Sequence, residues 1–207
     1  MPCKYVVGLG PELDWALAAW SEVAPTLTLH KLVLHQDTSY AFDLSALDGM
    51  LTEGATAFVA MGPQFLNFRR FELMGIVKSL GFKMPPLVCP GAVVAATAKL
   101  GENSFIGAGA LVGVGAEIGF NCVVGAGAHI GAGTKIGHSA WLAPGVLVGS
   151  ACTVGAHATL DMGVLVPDGL HVGKQCVLQK PGRLVADVAA KTFHLASFAD
   201  PVVVYGS

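Results

Sequence analysis

Charge is the scarcest feature of this chain. Only 13% of its 207 residues are charged, with 12 Lys and Arg against 14 Asp and Glu, for a net charge of -2. That leaves no basic stripe for nucleic acid. Aromatic residues are few, at 8%. Long apolar runs are missing too: although 53% of residues are hydrophobic, no stretch of about 18 escapes interruption by Gly, Pro or a charge, which excludes a spanning helix. The five cysteines, Cys3, Cys89, Cys122, Cys152 and Cys176, form no CxxC pair, which argues against a zinc or redox motif. The opening MPCKYVVGLGPELD turns acidic too soon for a secretory leader, so a cytoplasmic location is expected.

The dominant feature present is a period of six. From Val93 to Val188 the chain divides into sixteen hexapeptides without insertion or loss. The second place is always aliphatic, from Val94, Leu100 and Ile106 through to Leu178 and Leu184. The third place is usually Gly and the sixth usually small. A short fixed period of this length specifies a solenoid. Each hexapeptide reads as one short strand and one corner. Three make a triangular coil, so residues 18 apart stack at about 4.8 Å and sixteen repeats give about five coils. Gly in the third place is expected to relieve the bend before the corner. Cys122, Cys152 and Cys176 all occupy the small sixth place. Cys122 and Cys176 share a face but lie three coils apart, about 14 Å, too far for a disulfide.

Residues 1–88 read differently. Strands are expected at 4–9, 27–34 and 55–62, and helices at 12–22, 44–51 and 67–80. This βαβαβα order predicts a small Rossmann-like α/β domain with a parallel sheet. The remainder, 189–207, reads as a tail of a short helix and a strand that covers the open end of the solenoid. Gly8-x-Gly10 suggests a dinucleotide fingerprint, but the third glycine would fall on Leu13, and Glu12 and Asp14 put negative charge where a pyrophosphate would sit. The same strand-to-helix loop can still hold a nucleotide in another way, which makes Gly8 and Gly10 substrate-binding candidates. Asp37, after the second strand, is either a ribose ligand or a surface turn residue.

The segments FVAMG, NFRRFELMGIVKSLG and LVCPGAVV, followed by the repeat, resemble one branch of the hexapeptide-repeat acyltransferases: the bacterial sugar O- and N-acyltransferases that act on sialic acid and on bacillosamine precursors. The resemblance covers nearly the whole chain. It implies a left-handed parallel β-helix, a homotrimer, acetyl-CoA or another acyl-CoA as co-substrate, and a sugar or nucleotide-sugar held by the N-terminal domain. It also implies a His general base oriented by an acidic neighbour, which suits proton removal near neutral pH. In this chain the position of that base is Ala132, the acidic neighbour is Gly133, and a later polar position falls near Trp141. Catalytic candidates then shift to His138 and His157, corner residues 19 apart that meet on adjacent coils. Asp161 is a candidate near that edge, and His129 a candidate for ligand or subunit contact.

A zinc site of the γ-carbonic anhydrase kind would share Ile136-Gly137-His138 but needs ligands at Ala143 and near Glu102, so no metal is expected. Two readings stand. One is an acyltransferase with a displaced base. The other is a non-catalytic trimeric binding or scaffold homologue.

Overall fold

The computed structural model describes residues 3–50 and 53–204. The first part is built on β1 (Cys3–Gly8), α1 (Pro11–Val23), β2 (Thr28–Val33), β3 (His35–Gln36), β4 (Phe42–Asp43), β5 (Ala55–Ala60) and α2 (Phe68–Ser79). The order β2-β1-β5 makes a three-stranded parallel sheet, and β3 and β4 pair as a small hairpin. Side chains alternate across this sheet, as the two-residue period of a strand requires. Val6 and Phe58 face Leu13, Ala16 and Trp20 of α1, while Val7 and Val59 face Leu73 and Val77 of α2. At Gly8 the strands crowd so closely that a Cβ would lie 1.7 Å from the Ala60 carbonyl oxygen. The helix expected over 44–51 is a single 3-10 turn, Ser45–Leu47, followed by Gly49 at φ 83°; residue 51 lies outside the described residues.

From Val93 onward the chain is a left-handed parallel β-helix of about six turns. Each repeat contributes one short strand, and strands 18 residues apart pair in register, as in Leu111 with His129 and Val123 with Trp141. Three sheets of six, five and eight strands result. The third is the longest because Leu87–Val88 pairs onto it ahead of the first repeat and Thr192–His194 after the last. The aliphatic second places and small sixth places fill the prism. The sulfhydryls of Cys122, Cys152 and Cys176 reach the carbonyls of Gly137, Pro167 and Ala189 at 3.0–3.1 Å. No disulfide forms, and burial pushes the Cys122 thiol up to about 11.

Two expectations change. The third-place glycines do not serve the bend. They make room for the neighbouring coil: a Cβ at Gly101, Gly119 or Gly137 would lie 2.3–2.6 Å from its backbone. The tail holds no helix over 189–204. Thr192–His194 adds to the open sheet edge and Val202–Val203 folds back antiparallel on it, because unpaired edge groups favour a strand there.

Candidate functional site

Left-handed backbone falls at the fifth place of the repeat, giving three corner columns. One is all glycine: Gly91, Gly109, Gly127, Gly145 and Gly163. A second holds Gly115, Gly133, Ala151 and Gly169. The third contains no glycine: Asn103, Asn121, Ser139, His157 and Gln175, at φ 54–60°. Such a conformation costs a non-glycine residue about 1–2 kcal/mol, and tertiary contacts offset it here. The Asn103 side chain accepts from Val59 N–H at 2.7 Å and donates to Val59 C=O at 3.1 Å, closing the open edge of β5. It also donates to Asn121 at 2.9 Å, which donates to Ser139 at 3.0 Å. This column is the seam between the two parts of the molecule.

Helix α2 lies along that seam. Lys78 pairs with Glu102, Phe71 meets Phe120 at 6.0 Å, and Phe68 stacks on His157 at 4.0 Å and 13°. Ten residues of helix rise about 15 Å and three coils span about 14 Å, so one face of α2 stays in step with successive corners.

The structure brings His138 and His157 together, with ring centroids 5.2 Å apart and nearly perpendicular. His138 is half-buried and stacks on Phe120 at 4.8 Å and 9°. Phe71 stands 6.1 Å from His138 and 5.6 Å from His157. His157 is 5% exposed, and this burial pulls its pKa below the usual histidine value. Its Nδ1 lies 3.1 Å from Leu66 C=O. A carbonyl only accepts, so Nδ1 carries the proton and the neutral ring leaves Nε2 as an acceptor.

Leu66 belongs to a left-handed run, Phe65, Leu66 and Asn67, at φ 46–63°. Asn67 is buried and donates to Thr159 at 3.2 Å, while its Oδ1 has no partner. Arg70 is 2% exposed; its Nε and Nη2 have no partner and its guanidinium stands 5.3 Å over the Trp141 ring. Burial brings its pKa down to about 10, so it remains a cation at neutral pH.

The other candidates lie apart from this cluster. Ala132 and Gly133 are exposed at a different corner. The Asp161 carboxylate accepts from Met162 N–H at 2.8 Å, and among the described residues no hydrogen bond or ion pair joins it to either histidine. His129 is exposed on the first sheet between Leu111 and Leu147. Gly10 precedes α1 at φ 74°, and the Glu12 carboxylate lies between Gly10 and Gly62. That places a negative charge at the carboxyl edge of the parallel sheet, where ligands of open α/β sheets bind. Asp37 Oδ1 accepts from Ser39 N–H, Ser39 O–H and Ala41 N–H at 2.7–2.9 Å, closing the hairpin; these bonds hold its pKa below the usual range. Among the described residues no cluster of three or more His, Cys, Asp or Glu is placed to hold a metal. No helix among them is long and apolar enough to cross a membrane.

Asn67, Arg70, Asn103 and Asn121 were not among the sequence candidates. The interruption of glycine every 18 residues in one corner column signals the last two. Asn67 and Arg70 lie in the segment NFRRFELMGIVKSLG that carries the resemblance, but nothing in it marks them as buried.

A family model for the hexapeptide repeat of succinyl-transferase matches residues 98–132. No curated protein matches the chain by sequence. Several solved structures match it over nearly their full length. PerB from Caulobacter crescentus, in complex with CoA and GDP-perosamine, is 24% identical, with 91% of this chain and 92% of that one covered at a TM-score of 0.77. The acetyltransferase domain of PglB from Neisseria gonorrhoeae is 19% identical, with 94% and 97% covered at 0.77. WeeI from Acinetobacter baumannii is 13% identical, with 96% and 100% covered at 0.58. These likenesses establish the shared fold.

Proposed function

We propose that the chain is a cytoplasmic acyltransferase of the sugar type, taking an acyl-CoA thioester as donor and a sugar or nucleotide-sugar as acceptor. The observation that carries this reading is that the α/β unit and the solenoid together match proteins solved with CoA and GDP-perosamine over more than nine-tenths of both chains. Residues 1–88 take the acceptor, through the Gly8–Gly10 loop, and residues 89–188 the donor; residues 189–207 form the closing tail. In the reaction the acceptor amine or hydroxyl adds to the thioester carbonyl. A C–N or C–O bond forms and the C–S bond breaks. CoA leaves as its thiol, with the proton the acceptor gives up. His138 is the group proposed to relay that proton, with His157 beside it as a second basic nitrogen. A homotrimer is part of the reading. Its support is an outward apolar row on the first sheet: Val93 is 60% exposed, and Leu111 and Leu147 are each 39% exposed.

A second reading, a non-catalytic trimeric binding or scaffold protein, is favoured by Ala132 and Gly133, which offer no proton acceptor at the family position. Calorimetric titration of acetyl-CoA separates the two. Micromolar binding together with thiol release that His138→Ala abolishes supports the enzyme. Binding without turnover on any sugar acceptor supports the scaffold. Light scattering that finds a stable monomer overturns both.

A further inference from the structure

A cavity of about 260 Å³ opens between α1 and the third sheet. Its side-chain walls are Trp15, Phe105, Val123, Trp141 and Pro144, with Gly125, Ala126 and Leu142 completing the lining. No charged, hydroxyl or amide side chain faces it. The aromatic walls are braced: Trp15 packs on Phe105 at 4.4 Å between centroids, and Trp141 lies beneath the Arg70 guanidinium. Trp15 is in the second turn of α1, which starts directly after the Gly8–Gly10 loop.

The mouth is open to solvent at Ala126 and Pro144, but a fully hydroxylated ring seated against these walls would turn several hydroxyls to surfaces that offer them no partner, each at a cost in free energy. An aliphatic chain loses nothing. An apolar cavity near 150 Å³ admits benzene, so this one holds on the order of eight to ten carbons by proportion.

We propose that the cavity houses the aliphatic tail of an acyl group longer than acetyl, carried by the thioester donor. The inference rests on the acyltransferase reading. In acyl transfer the thioester carbonyl meets the acceptor nucleophile, so the chain it carries lies beside the acceptor. The cavity adjoins the helix that begins at the proposed acceptor loop. Each buried methylene tightens binding by up to about fourfold.

The chain contains three tryptophans. Two line the cavity, and the third, Trp20, is buried with Lys4 Nζ 3.9 Å from its ring centre. Tryptophan fluorescence therefore reports on the cavity. The experiment titrates acetyl-, butyryl- and octanoyl-CoA, free octanoate and a methyl hexopyranoside into the full chain. Calorimetry runs in parallel. Affinity is expected to rise with chain length, with octanoyl-CoA binding at least tenfold more tightly than acetyl-CoA and shifting the fluorescence. Ala126→Phe, at an exposed lining position, is expected to remove that gain while sparing acetyl-CoA. Pro144→Phe, at another exposed lining position, is the second plug should the first variant misfold. Equal affinity across chain lengths with acetyl-CoA still bound overturns the tail pocket alone. A fluorescence response to the glycoside and not to octanoyl-CoA also overturns it and makes the cavity an acceptor site. Failure of every CoA thioester to bind overturns the donor reading and this inference together, even if free octanoate fills the cavity.

Discussion

In the solenoid a residue's place in the repeat decides its environment, whereas in the α/β unit the same residue type meets a different environment at each position. Glycine shows the contrast. At Gly137 a Cβ would stand 2.5 Å from the backbone of Ala156, but at Gly75, on α2, nothing lies within 4 Å. The solenoid is stacked backbone on backbone, and its tolerance is set by the coil spacing. The α/β unit is held by interdigitating side chains, and its helices have free surfaces. The seam joins the two regimes: a regular corner column carries polar side chains that complete an irregular sheet edge.

The largest expected effect breaks this contrast directly. Gly137→Ala is expected to destabilise the protein by about 3 kcal/mol or more, since no rotamer change can relieve a backbone clash. Gly75→Ala is expected to stabilise it by about 0.5–1 kcal/mol. Thermal unfolding of both variants checks the pair, and similar midpoints would show that the coils can separate. Next is the seam. Asn103→Ala leaves Val59 N–H and C=O and the Asn121 amide without their partner. The expected loss is about 2–4 kcal/mol, measured by denaturant unfolding, with amide exchange at Val59 rising ahead of exchange in the later coils. Uniform exchange would mean that the seam carries no special share.

The smallest effect is on pH. Burial lowers the folded-state pKa of His157, so on acidification the unfolded chain takes up a proton before the folded one. Stability is therefore expected to fall as pH drops below the unfolded value of about 6.5 and to level off once the folded pKa is passed. His157→Gln keeps a polar group at the corner and should flatten part of that slope. An unchanged slope across pH 5 to 8 would assign it to other groups, among them His194, which burial also shifts downward.

Much of this was readable along the chain. The aliphatic second place sets the phase of all sixteen repeats, and the separation of 19 between His138 and His157 places them at corners of neighbouring coils. The role of the third-place glycines was not readable, because it depends on the adjacent coil and not on local dihedral angles. Asp37 was readable only as one of two alternatives, and its hydrogen bonds show it closing a hairpin. The helix expected in the tail does not form, because helical propensity is local, whereas the open sheet edge that makes a strand of Thr192–His194 is supplied by Val177–Leu178.

By itself the sequence determined the prism, its register and the parallel sheet of the first part, since those follow from periodicities of six and two that local chemistry enforces. Only the tertiary structure decided which of three equivalent corners meets α2, that Arg70 is buried over Trp141 with its Nε and Nη2 unpartnered, and that His157 is neutral with its Nδ1 on Leu66. Those outcomes depend on two surfaces meeting, through contacts between residues 71 and 91 positions apart in the chain.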